Sequence, residues 1–250
     1  MRLCHPEKLT MRIAVVSDIH GNLSALLAVT ADFTRRGVDQ VVNLGDSLSG
    51  PLLPKETALY LMAQQDWIHL AGNHERQILT LHAKSSAVDV YAHAQLSSTE
   101  LDWIASLPHV RQLNDDVLLC HGTPTSDVGC LLENADKAAT PAEIAARLGD
   151  VSASLILCGH THVPRSVRSG GKLIVNPGSV GHPAYGDDYP YPHAIQSGSP
   201  DARYAIVEQH NGAWLTTLIT VPYEHHAMAQ LARQRNRPDW ECALLTGYMP

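Results

Sequence analysis

The chain has 250 residues, a formal net charge of −7 and no apolar run long enough for a membrane-spanning helix. The acidic balance excludes the general basic field that attracts a nucleic-acid backbone, so we expect no stable nucleic-acid partner and no membrane partner. Five scattered cysteines do not form the pattern of a disulfide framework, which favours a reducing, cytoplasmic location.

Apolar runs alternate with helical patterns from residue 11 onwards, which is typical of an α/β protein with parallel strands. The first run, residues 12–17, is continuous and β-branched like a strand buried on both faces, and Asn22 is placed to cap the next helix. Further strands are predicted at 40–45, 67–72, 116–122, 154–160 and 172–178, a second helix at 54–64, an antiparallel pair at 203–208 and 213–221, and a final helix from residue 223 that packs on the sheet.

The domain organisation follows from the same patterns. Residues 1–10 are polar and separate from the apolar run that starts at Met11, so we predict an N-terminal tail at 1–10 and a single domain at 11–250. Residues 182–200 are rich in Pro, Tyr and Gly and are predicted to be one long structureless loop, a kind of segment that is often functional.

Polar side chains follow five of the predicted strands, at the point where each strand ends. In α/β sheets the carboxyl edge is where ligands bind, so these side chains are expected to meet there. Imidazole nitrogens and carboxylate oxygens form a mixed shell that suits divalent transition metals, and there are enough ligands for two ions if one carboxylate bridges. The alternative for each histidine is a hydrogen-bonded core imidazole. The candidate residues are Asp18, His20, Asp46, Asn73, His74, His121, His160 and His162.

The order of these motifs resembles the calcineurin-like metallophosphoesterase superfamily, specifically its small bacterial and archaeal phosphodiesterase branch. The resemblance is carried by DIHGN at 18–22, GD at 45–46, GNHE at 72–75, CHG at 120–122, GHTH at 159–162 and NPGSVG at 176–181. It implies a four-layer α/β/β/α sandwich of two mixed sheets flanked by helices. It also implies a phosphodiesterase that cleaves small or nucleotide-type phosphoesters by attack of a metal-bridging hydroxide.

The resemblance assigns a role to each candidate residue. It implies a first ion held by Asp18, His20, Asp46 and His162, and a second held by Asp46, Asn73, His121 and His160. Of the two divalent ions, Mn²⁺ is favoured, and Fe, Zn, Ni or Co are open alternatives. The counterpart of His74 stabilises phosphoryl oxygens or protonates the leaving group, a catalytic role that general acid chemistry supports.

The motif after Asp46 departs from the protein-phosphatase pattern GD-x-x-D-R-G. Here Asp46 is followed by Ser47, Leu48, Ser49 and Gly50, so the acid that orients the catalytic histidine and the arginine are both missing. A protein or dinucleoside-polyphosphate phosphatase remains an alternative, and so does a non-catalytic scaffold like one relative that works in membrane-coat assembly. The scaffold has no reason to keep every ligand position.

Several neighbouring residues have two interpretations. Glu75 is interpreted as the start of a helix, where its charge suits the helix dipole. Cys120 and Cys158 each precede a candidate ligand, but strand alternation points them into a buried layer. The NPGSVG segment either offers backbone N–H groups to a phosphate or forms a simple turn. The loop 182–200 is either solvated or a lid that selects substrates.

Overall fold

The computed structural model of the protein describes residues 11–134, 137–187 and 192–250, so the predicted tail at 1–10 lies outside the described residues. The strands are β1 (Arg12–Val16), β2 (Gln40–Asn43), β3 (Ile68–His69), β4 (Val110–Asn114), β5 (Val117–Cys120), β6 (Leu155–Leu157), β7 (Arg165–Ser169), β8 (Lys172–Asn176), β9 (Ala184–Asp187), β10 (His193–Gln196), β11 (Ala202–His210) and β12 (Ala213–Val221). The helices are α1 (Leu23–Arg36), α2 (Pro54–Met62), α3 (Asn73–Leu79), α4 (Ala87–Gln95), α5 (Ser98–Ser106), α6 (Pro141–Leu148), α7 (His226–Gln234) and α8 (Pro238–Thr246). None of these helices in the described ranges could cross a membrane.

Ten of the strands form two mixed five-stranded sheets. The first has the order β12-β11-β1-β2-β3, with β1, β2 and β3 parallel and β11 antiparallel to both of its neighbours. The second has the order β4-β5-β6-β8-β7, with β5, β6 and β8 parallel and the two edge strands antiparallel. Within each sheet the parallel strands end at the same edge, so the segments that follow them emerge side by side.

Alternate strand residues face different layers of the fold. Ile13 of β1 lies in the same buried cluster as Val117 of β5, which shows that the two sheets pack face to face. Ala14 points the other way and packs with helix α1, and Leu118 packs with helix α6. The result is the predicted four-layer α/β/β/α sandwich of two mixed sheets flanked by helices.

Two local predictions are confirmed and a third holds only in part. The side chain of Asn22 caps α1 by accepting a hydrogen bond from the backbone N–H of Ala25 at 3.1 Å. Strands β11 and β12 form the predicted antiparallel pair. The third strand is shorter than the predicted 67–72 and contains only Ile68 and His69.

Two predictions in the C-terminal half are wrong. Residues 182–200 are not structureless, because β9 and β10 pair as an antiparallel two-stranded ribbon; residues 188–191 lie outside the described parts. Helix α7 does not pack on a sheet. Its buried Met228 and Ala232 lie in a cluster with Leu52 and with Trp240 of α8, so α7 and α8 cover the segment after β2 instead.

Candidate metal centre

The segments that follow the parallel strands bring all seven predicted ligand residues to one place. Six of them are buried, with at most 5% of the residue exposed, and His160 is half-buried. They come from the ends of β1, β2 and β3 in one sheet and of β5 and β6 in the other. The members are Asp18, His20, Asp46, Asn73, His121, His160 and His162.

Asp46 lies between two groups of potential donor atoms. In one group, atoms of Asp46, His121 and His160 lie within 4.8 Å of one another. In the other, atoms of Asp18, His20 and Asp46 lie within the same limit. The two histidines of GHTH also separate: His160 belongs to the first group, whereas Nε2 of His162 lies 3.3 Å from Oδ1 of Asp18.

Three of the imidazoles are oriented by backbone carbonyls. Nδ1–H of His20 donates to the carbonyl of Ser49 at 2.8 Å, and Nδ1–H of His121 donates to that of Leu44 at 2.9 Å. Nδ1–H of His162 donates to the carbonyl of His182 at 2.8 Å. Because a carbonyl can only accept, each bond assigns a proton to Nδ1 and leaves Nε2 for the centre, the arrangement typical of metal-binding histidines.

Two of the imidazole nitrogens face each other with no proton to share between them. Nε2 of His20 and Nε2 of His162 lie 3.1 Å apart, although the Nδ1 proton of each ring is used by a carbonyl. Within the described residues neither carboxylate oxygen of the buried Asp18 accepts a hydrogen bond. Such orphaned acceptors fit a cation.

The protonation equilibria favour an ionised Asp46 and a neutral His20, which are the forms that bind a metal ion. Burial opposes ionisation of Asp46, but the neighbouring His121 and His74 outweigh it and hold the pKa of Asp46 well below its usual range. Burial and the surrounding imidazoles lower the pKa of His20 to about 3. Burial also lowers the pKa of His121, but the charge of Asp46 overcomes this and raises it to about 10. A proton therefore sits on His121 beside Asp46 when no metal replaces it.

Most of the candidate ligand residues have a strained backbone. Asp18, His20, Asp46, His160 and His162 have φ between 52° and 69°, the left-handed region that non-glycine residues rarely adopt. Each such residue costs of the order of 1–3 kcal/mol and persists only where its surroundings hold it. Strain that collects on five of seven candidate ligands indicates a functional constraint on this edge of the fold.

Glu75 does more than start a helix. It lies in the first turn of α3, as predicted, but it is fully buried and accepts backbone N–H groups of Asp46, Ser47 and Gly72, each at 2.8 Å. One carboxylate thus connects the segment after β2 to the segment after β3. Burial and the charge of Asp46 raise the pKa of Glu75, against the lowering effect of these hydrogen bonds.

The NPGSVG segment is a structural clamp. The backbone N–H groups of Val180 and Gly181 donate to the carbonyls of Ser17 and Asp18 at 3.0 and 3.1 Å, and Ser179 Oγ–H donates to the Asp18 carbonyl at 2.7 Å. These N–H groups are used by the fold, so the phosphate-binding interpretation of them is wrong and the turn interpretation is correct. The segment holds the backbone of a candidate ligand in place.

Gly159 of GHTH is required by a close approach. A Cβ atom added there would lie 2.0 Å from Oγ of Ser17 and 3.0 Å from Oδ2 of Asp18. The turn itself places left-handed φ angles on His160 and His162 and not on the glycine. The preceding Cys158 is buried with Cys120 in the cluster against α6, which confirms that both cysteines pack in the core.

His74 is oriented by an acid that the motif comparison missed. Its Nδ1 bonds to Oδ1 of Asp89 at 2.8 Å, and its backbone N–H donates to Oδ1 of Asp46 at 2.8 Å. Asp89 is buried on α4, where its neighbours Val88 and Ala92 are buried too. A charged residue on the apolar face of a helix was the available sequence signal, but its partner could not be read from it.

A cleft of about 610 Å³ opens onto this centre. Asp46, Asn73 and His74 line the cleft together with the imidazoles, and so do Arg76 and Lys84. Tyr185 of the β9–β10 ribbon and Arg237, Asp239 and Trp240 near the start of α8 line it too. The predicted loop 182–200 therefore contributes to the lining of the cleft.

Comparison with known proteins agrees with this architecture. The chain is 25% identical over 252 residues to an uncharacterised protein of Methanocaldococcus jannaschii, covering 91% of this chain and 94% of that protein. A metallophosphoesterase from Sphaerobacter thermophilus superposes with a TM-score of 0.73 at 25% identity, covering 94% of this chain and 98% of the other. A hypothetical protein from Pyrococcus horikoshii has the same fold, with a TM-score of 0.72 at 14% identity, covering 96% and 100%.

The sequence profile of the calcineurin-like phosphoesterase superfamily domain matches residues 11–195, which include every candidate ligand and His74. The motifs, the two-sheet sandwich and this match lead to one conclusion. The chain belongs to the calcineurin-like phosphoesterase superfamily.

Proposed function

We propose that this protein is a phosphohydrolase that uses two divalent metal ions, with phosphodiesters as its preferred substrates. The observation that carries the proposal is the position of Asp46, whose carboxylate belongs to both groups of donor atoms. Asp18, His20, Asp46 and His162 would hold the first ion, and Asp46, Asn73, His121 and His160 the second. Mn²⁺ is the ion we propose first, since both sets contain carboxylate or amide oxygens as well as imidazoles.

A pair of bound ions would activate a water molecule and neutralise the phosphoryl charge that develops during in-line displacement. The protein supplies the remaining functions. His74 lines the cleft, and its Nδ1 is held by Asp89, which leaves Nε2 as the ring nitrogen that faces a substrate. We assign to it the proton that the leaving oxygen takes up.

The cleft favours a small, nucleotide-type substrate. A volume of about 610 Å³ lies within the range of about 300–1,000 Å³ that is usual for sites that bind small molecules. Lys84 is exposed in the lining of the cleft, and it takes part in no ion pair among the described residues. An exposed ammonium there would bind an anionic group of the substrate beyond the scissile phosphate.

Specific residues argue for or against the alternative functions of this fold. Asp89 takes over the orienting role of the acid that is missing after Asp46, so that absence no longer argues against a protein or dinucleoside-polyphosphate phosphatase. The arginine of the protein-phosphatase motif is still missing. A non-catalytic scaffold is disfavoured by the strained backbone of five candidate ligands, since strain without a function would be lost. The scattered cysteines still favour the cytoplasm, which we propose as its location.

The test is hydrolysis by metal-depleted protein before and after reloading with Mn²⁺. We expect no activity before reloading, and afterwards faster cleavage of bis(4-nitrophenyl) phosphate than of 4-nitrophenyl phosphate. Asp46→Asn should lose most of this activity and bind fewer than two ions by elemental analysis. Asp102→Asn, an exposed site on α5, is the matched control and should behave like the unmodified protein. Full activity in excess chelator, or an active Asp46→Asn protein, would contradict the proposal.

A further inference from the structure

His182 is a buried histidine of the centre that the family motifs do not include. It follows Gly181 directly and is 8% exposed. Its ring stacks on the indole of Trp240, with the two centroids 3.7 Å apart and the planes within 7°. Stacking on a buried tryptophan restricts the rotation of the ring, so its edge has a fixed direction.

That edge lies among candidate ligands. One donor nitrogen each of His20, His162 and His182 lies within 4.8 Å of the other two. The ring centroid of His182 lies 5.2 Å from that of His20 and 5.6 Å from that of His162. Within the described residues no protein group hydrogen-bonds a ring nitrogen of His182, and the residue lines the cleft, so a nitrogen is available to an ion there.

The backbone of His182 is fixed to the same centre. Its carbonyl accepts the Nδ1–H of His162 at 2.8 Å, and its N–H donates to Oγ of Ser179 at 2.8 Å. Ser179 in turn donates to the backbone of Asp18. The residue therefore positions one candidate ligand through its backbone while its side chain lines the cleft beside two of them.

We propose that His182 is a further imidazole ligand of the first metal ion, beside His20 and His162. The inference rests on the two-metal centre proposed above and adds a residue to it. The first site would then have three imidazoles and two carboxylates, whereas the second would have two imidazoles, one carboxylate and one amide. Since additional imidazole favours Zn²⁺, Fe²⁺, Co²⁺ and Ni²⁺ over Mn²⁺, the two sites would differ in metal preference.

Two variants of His182 distinguish the role of its ring nitrogens from the role of its stacked ring. His182→Phe keeps a flat ring that can stack on Trp240 and removes the donor atoms. His182→Gln gives up the stacking and offers an amide oxygen, so it remains usable if the phenylalanine variant does not fold. His210→Phe is the matched control, because His210 is exposed at the end of β11. Glu208 pairs with the first residue of β1, so His210 lies at the sheet edge opposite to the one where the centre is built.

The measurement is calorimetric titration of the metal-depleted full chain with Co²⁺, together with the visible absorption of the bound Co²⁺. The unmodified protein and His210→Phe should bind two ions. His182→Phe should bind one of the two at least about 10-fold more weakly, a loss of the size seen when the surroundings of a metal ligand are altered. The visible absorption of that Co²⁺ ion should change, because the ion loses a nitrogen ligand. The Co²⁺ affinity of His182→Gln should lie between the affinities of the unmodified protein and of His182→Phe.

The outcomes distinguish this inference from the proposed function. Two ions bound by His182→Phe with unchanged affinity and unchanged Co²⁺ absorption would overturn the role of His182 alone. A rise in KM with unchanged metal binding would overturn it too, because the imidazole would then contact the substrate. An unmodified protein that binds no Co²⁺ would overturn the two-metal centre itself and His182 with it.

Discussion

His74 and Asp89 form a partly buried pair that joins the first turn of α3 to helix α4. Nδ1 of His74 lies 2.8 Å from Oδ1 of Asp89, and the Asp89 side chain is 2% exposed whereas that of His74 is 23% exposed. Asp89 is therefore placed to hold the imidazole, and in the proposed reaction it would act through His74.

Replacing His74 should slow reactions in proportion to how poor the leaving group is. Since general acid catalysis contributes about 10²–10⁴-fold, His74→Asn should slow an alkyl or nucleoside diester by about that range. A nitrophenyl diester should lose distinctly less, because nitrophenolate departs without a proton. Steady-state rates on both substrates, with metal content measured in parallel, check this. Equal losses on both substrates would assign His74 to the phosphoryl oxygens instead.

Replacing Asp89 should slow the same reactions as replacing His74, but by a smaller factor. Asp89→Asn keeps the shape of the side chain but removes the charge that orients His74, so kcat on the alkyl diester should fall by about 10-fold or more and KM should change little. The double variant with His74→Asn should be no slower than His74→Asn alone. Independent, multiplicative losses in the double variant would show that Asp89 acts on the fold and not through His74.

Gly181→Ala should disturb the centre through the backbone. The added Cβ would lie 1.8 Å from the carbonyl oxygen of Ile19, between the candidate ligands Asp18 and His20. Such crowding typically costs about 1–3 kcal/mol of the free energy of unfolding. Thermal denaturation should therefore show a lower Tm, and metal affinity should fall with it. Gly186→Ala is the control, because its nearest contact would be an ordinary 3.7 Å, and its Tm should stay unchanged.

The free energy of unfolding of the protein should depend on pH through Asp32. This buried residue of α1 accepts hydrogen bonds from Tyr204 Oη–H at 2.7 Å and Arg36 Nε–H at 2.6 Å. Burial alone would raise the pKa of Asp32, but these bonds lower it. A carboxyl whose pKa is lowered in the folded state stabilises the fold above its unfolded pKa, and the contribution disappears as the pH falls through the folded value.

Urea denaturation of Asp32→Asn and of the unmodified protein should check this dependence. The difference in the free energy of unfolding should be greatest near neutral pH and should shrink below about pH 4, where the unfolded carboxyl protonates. A difference that stays constant between pH 3 and pH 7 would show that the charge of Asp32 contributes nothing.

The amino-acid sequence alone was sufficient for the α/β class and the candidate ligands, and its resemblance to a known superfamily predicted the four-layer sandwich. Its buried strands are continuous apolar runs, and each ends in a polar residue such as Asp18 or His121 at a defined position. Parallel strands place their carboxyl ends at the same edge, so a local pattern becomes a spatial cluster without further information. The superfamily and the four-layer sandwich are confirmed, whereas the binding of metal by these residues stays a prediction.

The tertiary structure alone decided what surrounds the ligands. Asp89 meets His74 across 15 positions of the chain, Trp240 stacks on His182 across 58, and the NPGSVG clamp reaches Asp18 across 161. None of these contacts follows from periodicity, since each depends on how two separately formed elements pack. Local residue patterns specify which groups stand at the end of a strand, but the packing of distant segments determines which neighbour orients each group and sets its protonation.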